Sequence, residues 1–157
     1  MTRMRFVAAT AVAFLVSQIL TIAIHGFLLA ADYAPFYGTL LRPMAPEGSW
    51  RLLLLPFSHL CFVTILVWLY GRTRLEGGRF ARGLKLGLIG FFIGQLPHLV
   101  LWYAEQPWPG LLVVKQLGLE LISSLIVGLT IAAVAGRTNP ASPARPVITP
   151  AEPALRA

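Results

Sequence analysis

Three histidines lie in three separate long apolar stretches of this chain, at His25, His59 and His98. The fourth apolar stretch carries Lys115 and Glu120 instead. Ionisable side chains are costly in hydrocarbon and tend to mark functional positions there, so each of these residues is a candidate site residue. Imidazole and carboxylate groups brought together could bind a proton, a transition metal or a small polar ligand.

The four apolar stretches have the length and composition of membrane-spanning helices. Of the 157 residues, 57% are hydrophobic and 12% are charged, and the mean hydropathy is +0.73. A hydrocarbon core about 30 Å thick needs roughly 20 apolar residues per helix. Backbone polar groups must be paired within lipid, and these runs do not alternate as barrel strands do. The sequence predicts an all-α, four-transmembrane-helix up-down bundle over residues 1–136, with helices over about 6–31, 52–70, 86–103 and 111–135.

Positive charges are distributed unevenly between the two ends of the predicted helices. Ten of the 13 Lys and Arg residues flank one set of helix ends, and only Arg42, Arg51 and Lys115 lie at the other. Cytoplasmic loops of membrane proteins carry such an excess. Both termini and the 71–85 loop are therefore expected in the cytoplasm, with 32–50 and 104–110 outside. The net charge of +7 is then explained by topology and by attraction to anionic lipid, not by nucleic-acid binding.

Three further segments have simple expectations. The first apolar run is about 25 residues long, which exceeds a signal-peptide core, so we expect it to remain as a helix. Cys61 is the only cysteine, which excludes an intrachain disulfide, and we expect it to be a small core residue. Residues 137–157 are rich in Pro and Ala and predict a disordered cytoplasmic tail.

Small residues recur on one face of two predicted helices. Glycines in the third helix have spacings of four, three and four, and His98 follows four residues after the last of them; they are Gly83, Gly87, Gly90 and Gly94. The fourth helix has a stripe with a spacing of four: Gln116, Glu120, Ser124, Gly128, Ala132 and Gly136. Small-residue faces let helices approach closely in lipid, so we expect these two faces to pack together and His98 to point at a neighbouring helix.

Other polar residues also share helix faces. Ser17, Thr21 and His25 follow one another at steps of four on the first helix. Pro97 is expected to kink the third helix and to free a carbonyl near Ile93. Counting 1.5 Å per residue from the outer helix ends places every ionisable intramembrane residue about 6 to 14 Å deep, in the outer half. The sequence thus predicts a polar cup that opens outward beneath the 32–50 loop, with these candidate binding residues: His25, His59, His98, Gln95, Lys115, Gln116 and Glu120.

Several chemistries could use such a cup, and the sequence leaves them open. His25, His59 and His98, with Glu120, could form a transition-metal site. Two of the histidines could ligate haem b. Glu120 and Lys115 could bind a small ligand or quinone head group, or Glu120 could carry protons. The structural alternatives are that Lys115 extends to the outer head groups and that Glu120 only joins helices through hydrogen bonds.

Part of the chain resembles a group of small, uncharacterised four-helix bacterial membrane proteins. The resemblance rests on the segment from Leu101 to Gly110, on Val113-Val114-Lys115-Gln116, and on His25-Gly26-Phe27-Leu28-Leu29 before Asp32-Tyr33. It covers about the first 135 residues. The resemblance implies the same topology in a bacterial inner membrane and implies no catalytic residues, because the group has no assigned activity.

These patterns favour a non-enzymatic membrane protein. Walker, nucleophile-elbow, HExxH and CxxC motifs are absent from the sequence. The first hypothesis is a ligand-, metal- or cofactor-binding or accessory protein. The alternatives are a membrane redox protein that holds haem b or a transition metal, and a purely structural subunit of a membrane complex. The expected partners are the lipid bilayer and either further copies of the chain or a larger membrane complex.

Overall fold

The computed structural model describes residues 1–41 and 53–136, and these residues form helices without β-strands. Four helical spans are long and apolar enough to cross a membrane, which confirms the predicted class of fold. The spans are Arg3–Leu28, Leu54–Arg72, Arg79–Glu105 and Gly110–Ala135. The predicted tail over 137–157 and most of the loop over 42–52 lie outside the described residues.

Two of the spans contain a wider π-helical segment. Helix α1 (Arg3–Thr21) continues as a π-helix over Ile22–Leu28. A short helix α2 (Ala30–Tyr33) and a single 3₁₀ turn (Ala34–Phe36) follow it.

The second and fourth spans are uninterrupted α-helices, and the third span contains the other π-helical segment. Helix α3 is Leu54–Arg72, and helix α6 is Gly110–Ala135. Between them, helix α4 (Arg79–Gly90) passes through a π-helix (Phe91–Gln95) into helix α5 (Leu96–Glu105). The π segment lies just before Pro97, where the sequence predicts a kink, because proline cannot donate the backbone hydrogen bond that a regular helix needs.

The third span begins at Arg79, seven residues before the predicted start at 86. Arg82 and Lys85 therefore lie on a helix and not in a loop. The prediction was wrong here because an apolar run stops at the first charged residue. The backbone hydrogen bonds of a helix can continue through charged residues.

Helices α4 and α6 make the tightest contact in the bundle, and glycines make it possible. A Cβ atom on Gly87 would lie 2.6 Å from the Leu125 Cα, and one on Gly83 would lie 2.8 Å from the Leu129 Cα. On the opposite helix, a Cβ on Gly128 would lie 2.8 Å from the Gly87 Cα. We call these three residues, Gly83, Gly87 and Gly128, the glycine contact. The predicted packing of the two small-residue faces is confirmed for this half of the stripe.

The other two glycines of the stripe face a different helix. Gly90 and Gly94 lie against Leu66 and Phe62 of α3. The prediction that the whole glycine face packs on the last helix was therefore wrong in its second half. The glycine face contacts two helices because the third span crosses them at different points: its first half packs on α6 and its middle packs on α3.

The main hydrophobic core surrounds the glycine contact. Its fully buried members include Ala13, Val63, Leu66, Leu86 and Ile131. Large apolar side chains on the outer surface, such as Ile19, Phe92 and Val114, are more than half exposed, as lipid-facing residues would be. Cys61 is also exposed, so the expectation of a core cysteine was wrong. No sequence periodicity distinguished its face of α3, because nearly every position there is apolar.

Candidate functional site

His25 is the centre of a three-residue hydrogen-bonded unit. Its Nδ1 lies 3.1 Å from the Tyr33 hydroxyl, and its Nε2 lies 3.0 Å from Oε1 of Glu120. The side chain of Glu120 is 13% exposed and that of His25 is 33% exposed. The unit joins the π segment of the first span, helix α2 and helix α6. We call Tyr33, His25 and Glu120 the histidine unit.

The chemistry of the three groups sets a direction for the hydrogen bonds. A carboxylate can only accept, so an ionised Glu120 requires a hydrogen on Nε2 of His25. With neutral imidazole, Nδ1 is then an acceptor, and the Tyr33 hydroxyl donates to it. Every polar atom at the imidazole is thus satisfied in one consistent arrangement, Tyr33 to His25 to Glu120.

Tyr33 holds its proton strongly, which supports that direction. Burial and, to a smaller extent, the negative charges of Glu120, Tyr37 and Asp32 together raise the pKa of Tyr33 from 10.0 to about 12. A phenol with this pKa remains protonated across the physiological range. The Tyr33 hydroxyl therefore keeps a hydrogen that it can donate to a neutral imidazole.

An ion pair lies next to the histidine unit. Lys115 Nζ donates to both carboxylate oxygens of Asp32, at 2.9 and 3.0 Å. Their side chains are 45% and 33% exposed, respectively. The pair ties α2 to the first turns of α6, because Asp32 directly precedes Tyr33 and Lys115 lies five residues before Glu120. Lys115 was expected to bind a ligand or to extend to the lipid head groups. In the structure its ammonium group forms an ion pair with Asp32.

Aromatic rings cover the histidine unit. The Tyr33 ring stacks on the His25 imidazole with centroids 5.9 Å apart, and its other side meets Trp108 edge-on at 6.3 Å. Trp108 in turn contacts Phe36 and stacks on Trp102. We call Phe36, Trp102 and Trp108 the aromatic cover. Trp108 is 6% exposed, and its indole N–H donates to the Gln106 side chain.

The tight turn after α5 positions this cover. The backbone N–H of Trp108 donates to the Gln106 carbonyl at 2.7 Å, between two prolines that fix the local backbone. Helix α6 then begins at Gly110 with Pro109 as its N-cap. The sequence predicts an outer loop over 104–110, which does not require Trp108 to be buried.

His59 makes a separate polar cluster with the first helix. Its Nδ1 lies 3.1 Å from the Ser17 hydroxyl and 3.3 Å from the Thr21 hydroxyl. The sequence predicts that Ser17, Thr21 and His25 share one face, and the structure divides them: the first two bond His59, and His25 bonds Glu120. The π-helix begins at Ile22, directly after Thr21, and its extra residue per turn rotates His25 off that face.

His98 lies away from both clusters. It is exposed, and its ring contacts Trp102 at 5.2 Å between centroids. The expectation that His98 extends the glycine stripe toward a neighbouring helix was wrong. The cause is again a π-helix. The Phe91–Gln95 segment widens the turn before His98, so the His98 side chain is rotated away from the face that carries the glycines.

The two candidate glutamines have different environments. Gln116 is 8% exposed and lies on the inward face of α6, one turn before Glu120. Gln95 ends the second π segment and is half-buried. The inward stripe of α6 is confirmed from Gln116 to Ala132, since Ser124 and Ala132 are also buried.

The structure brings together two of the four proposed metal ligands, His25 and Glu120. Over residues 1–41 and 53–136, no group of three or more His, Cys, Asp or Glu side chains is arranged to hold a metal ion. The transition-metal and haem b hypotheses stay predictions. Elemental analysis and an absorption spectrum of the purified protein test them.

Sequence reasoning missed Tyr33 and Asp32 as members of this region. Both lie in the segment after the first span, which was treated as a loop above the site. A signal was present: Asp32 and Lys115 are opposite charges at the same predicted helix ends. Tyr33 lies eight residues after His25, about two helical turns, so the two side chains could share a face.

The four spans and their internal polar contacts define the class of this chain, a multi-pass α-helical membrane protein. Comparison with known protein families, curated proteins and solved structures gives no match.

Proposed function

We propose that the chain is a non-enzymatic binding protein of the bacterial inner membrane and that the histidine unit is a proton-binding site near the periplasmic side. The observation that carries the proposal is the double engagement of His25, with Tyr33 on one ring nitrogen and Glu120 on the other. Histidine is the side chain whose unperturbed pKa lies nearest to neutral pH.

The proposed topology has both termini in the cytoplasm. The distribution of ten against three Lys and Arg residues supports it. Contacts between the first and last spans support an up-down bundle: Arg5 donates to the Gly136 carbonyl at 3.1 Å, whereas His25 meets Glu120. The beginning of the first span thus lies beside the end of the last span, as in an antiparallel pair.

Proton binding at the histidine unit would change the hydrogen bonds around it. An imidazolium donates from both nitrogens, so a proton added at Nδ1 turns Tyr33 from donor to acceptor. The Tyr33 hydroxyl then needs a new acceptor, and its ring is the one that contacts Trp108. Occupancy of the site by a proton is thereby linked to the packing of the aromatic cover.

Infrared difference spectroscopy on the reconstituted protein tests this proposal. Changing pH between about 5 and 9 should change the carboxyl and imidazole bands of wild type, and Glu120→Gln and His25→Gln should each remove most of that change. His98→Gln is the matched control, because His98 is exposed and its ring packs on Trp102, away from Tyr33 and Glu120.

The purely structural alternative gives a different result in the same experiment. If the histidine unit only holds helices together, both variants lower thermal stability while the wild-type spectrum is unchanged with pH. A spectrum without a pH-dependent change that requires both Glu120 and His25 would contradict the proposal.

A further inference from the structure

Arg82 is a buried cation that has no ion-pair partner among the described residues, and it lies at the opposite end of the bundle from the histidine unit. Its side chain lies on the inward face of α4 beside Gly83 and Leu86, and the residue is 8% exposed. Its Nε is buried and has no hydrogen-bond acceptor. Among residues 1–41 and 53–136, the ion pairs are those of His25 with Glu120 and of Lys115 with Asp32, so none involves Arg82. A buried charge without a counter-charge is strongly destabilising, which indicates that an anion belongs here.

The beginning of α4 adds a second source of positive potential. The N-cap Gly78 offers no side-chain acceptor, and the first turn has no acidic residue. The first amide groups of a helix point outward unpaired, and the helix dipole makes this end positive. Long helical side chains lean back over the preceding turn, which directs the Arg82 side chain toward this same helix end. Arginine at this position is the reverse of what the helix dipole favours, unless an anion lies between them.

None of the neighbouring described charged groups provides a counter-charge for Arg82. Arg79 and Lys85 on α4 are exposed, and Lys85 Nζ donates to the backbone carbonyl of Glu76 at 3.1 Å. The carboxylate of Glu76 makes no ion pair with Arg82 or with any other described cation. This end of the described chain therefore supplies several cations and no carboxylate to the buried arginine.

An exposed apolar ring on the first turn of α4 indicates the kind of anion. Phe80, two residues earlier, lies on the opposite, outward side of the same helical turn and is 68% exposed at the beginning of a membrane span. Arg82 itself lies about 5 Å inside the start of that span, at the depth of lipid phosphates and glycerol groups. A phospholipid whose phosphate lies at the helix end can extend its acyl chains down this outward side, against the phenyl ring, whereas a free phosphate would not reach it.

We propose that Arg82 and the uncapped beginning of α4 bind the phosphate of an anionic phospholipid. The guanidinium donates two parallel hydrogen bonds to the phosphate oxygens, from Nε and a terminal nitrogen. The free amide groups at the helix end donate to the remaining oxygens. This site is independent of the histidine unit and of the proton-binding proposal.

Lipid binding to the delipidated full-length chain in an uncharged detergent tests the proposal. Native mass spectrometry should show phosphatidylglycerol bound about tenfold more tightly than phosphatidylcholine, and Arg82→Gln should remove that preference. Arg74→Gln is the matched control, because Arg74 is exposed at the same end of the bundle. It should change the preference by less than about twofold. Arg82→Lys keeps the charge but loses the paired hydrogen bonds, so it should bind with intermediate strength.

Thermal unfolding of the same variants separates binding from folding. Phosphatidylglycerol should raise the Tm of wild type and not that of Arg82→Gln. Without lipid, Arg82→Gln should be at least as stable as wild type, since it removes an unpaired buried charge. An Arg82→Gln variant that keeps the lipid preference and the Tm increase would overturn the site. Inorganic phosphate that raises the Tm as much as phosphatidylglycerol does would overturn the assignment to a lipid.

Discussion

The glycine contact and the histidine unit both join α6 to other helices, but by opposite means. At the glycine contact, Gly128 and Gly87 bring two backbones together with no side chain between them. At the histidine unit, His25 bridges the helices through hydrogen bonds to Tyr33 and Glu120. The first arrangement can only hold the bundle closed, whereas the second has groups that can gain or lose a proton. The comparison separates the part of the molecule that maintains the fold from the part that can respond to its surroundings.

The largest expected effect is at the glycine contact. A Cβ atom at position 128 would lie only 2.8 Å from the Gly87 Cα, so the side chain of Gly128→Leu must push the two helices apart. We expect a loss of roughly 3 kcal/mol or more in the free energy of unfolding, measured by denaturant titration in detergent. Gly118→Ala is the control on the same helix, because nothing lies within 4 Å of its Cβ position. A Gly128→Leu variant as stable as Gly118→Ala would show that the backbones are not in contact.

A smaller loss is expected at the histidine unit. His25→Ala leaves the Tyr33 hydroxyl and the Glu120 carboxylate without their shared partner, which should cost about 2 kcal/mol of unfolding free energy. His98→Ala, the matched control on an exposed face, should stay within about 0.5 kcal/mol of wild type. Equal losses in the two variants would remove the distinction between the two histidines.

The Tyr33 phenol gives a pH dependence with a definite sign. Its pKa is raised from 10.0 to about 12, mainly by burial and then by Glu120, so the folded protein holds a proton that the unfolded chain releases near pH 10. Stability should therefore be complete below pH 10 and be lost progressively as pH rises toward 12. Absorbance titration of wild type against Tyr33→Phe isolates this phenol, and Glu120→Gln should lower its pKa. Ionisation of Tyr33 near pH 10 in the folded protein would contradict its burial in the histidine unit.

The smallest effect is expected at the ion pair beside the unit. Lys115 and Asp32 are both partly exposed, so their attraction is weakened by solvent. Lys115→Gln should cost less than about 1 kcal/mol and less still at high salt. A loss as large as that of His25→Ala would mean that the ion pair, and not the imidazole, holds this region together.

The same comparison shows what the sequence could predict. The four spans follow from apolar length, and the glycine contact follows from the spacing of small residues on two helices. Glu120 on the inward face of α6 was predicted by a spacing of four, which holds because α6 is a regular α-helix throughout.

The partners of the histidines could not be predicted by the same counting. The π segments at Ile22–Leu28 and Phe91–Gln95 interrupt the helical period just before or around His25 and His98. Each adds residues to a turn, so side chains that a regular helix would align are rotated apart. Tyr33 and Asp32 belong to the short helix α2 beyond the first span, where the hydropathy of the sequence does not indicate which way a side chain points.

Nitrogen-15 NMR of histidine-labelled protein in lipid tests the central claim most directly. The account predicts that Glu120→Gln shifts both ring-nitrogen signals of His25, assigned by comparison with His25→Gln, and leaves those of His98 unchanged. Unchanged His25 signals in Glu120→Gln would show that the imidazole and the carboxylate do not share a hydrogen bond, which would contradict the histidine unit and the function proposed for it.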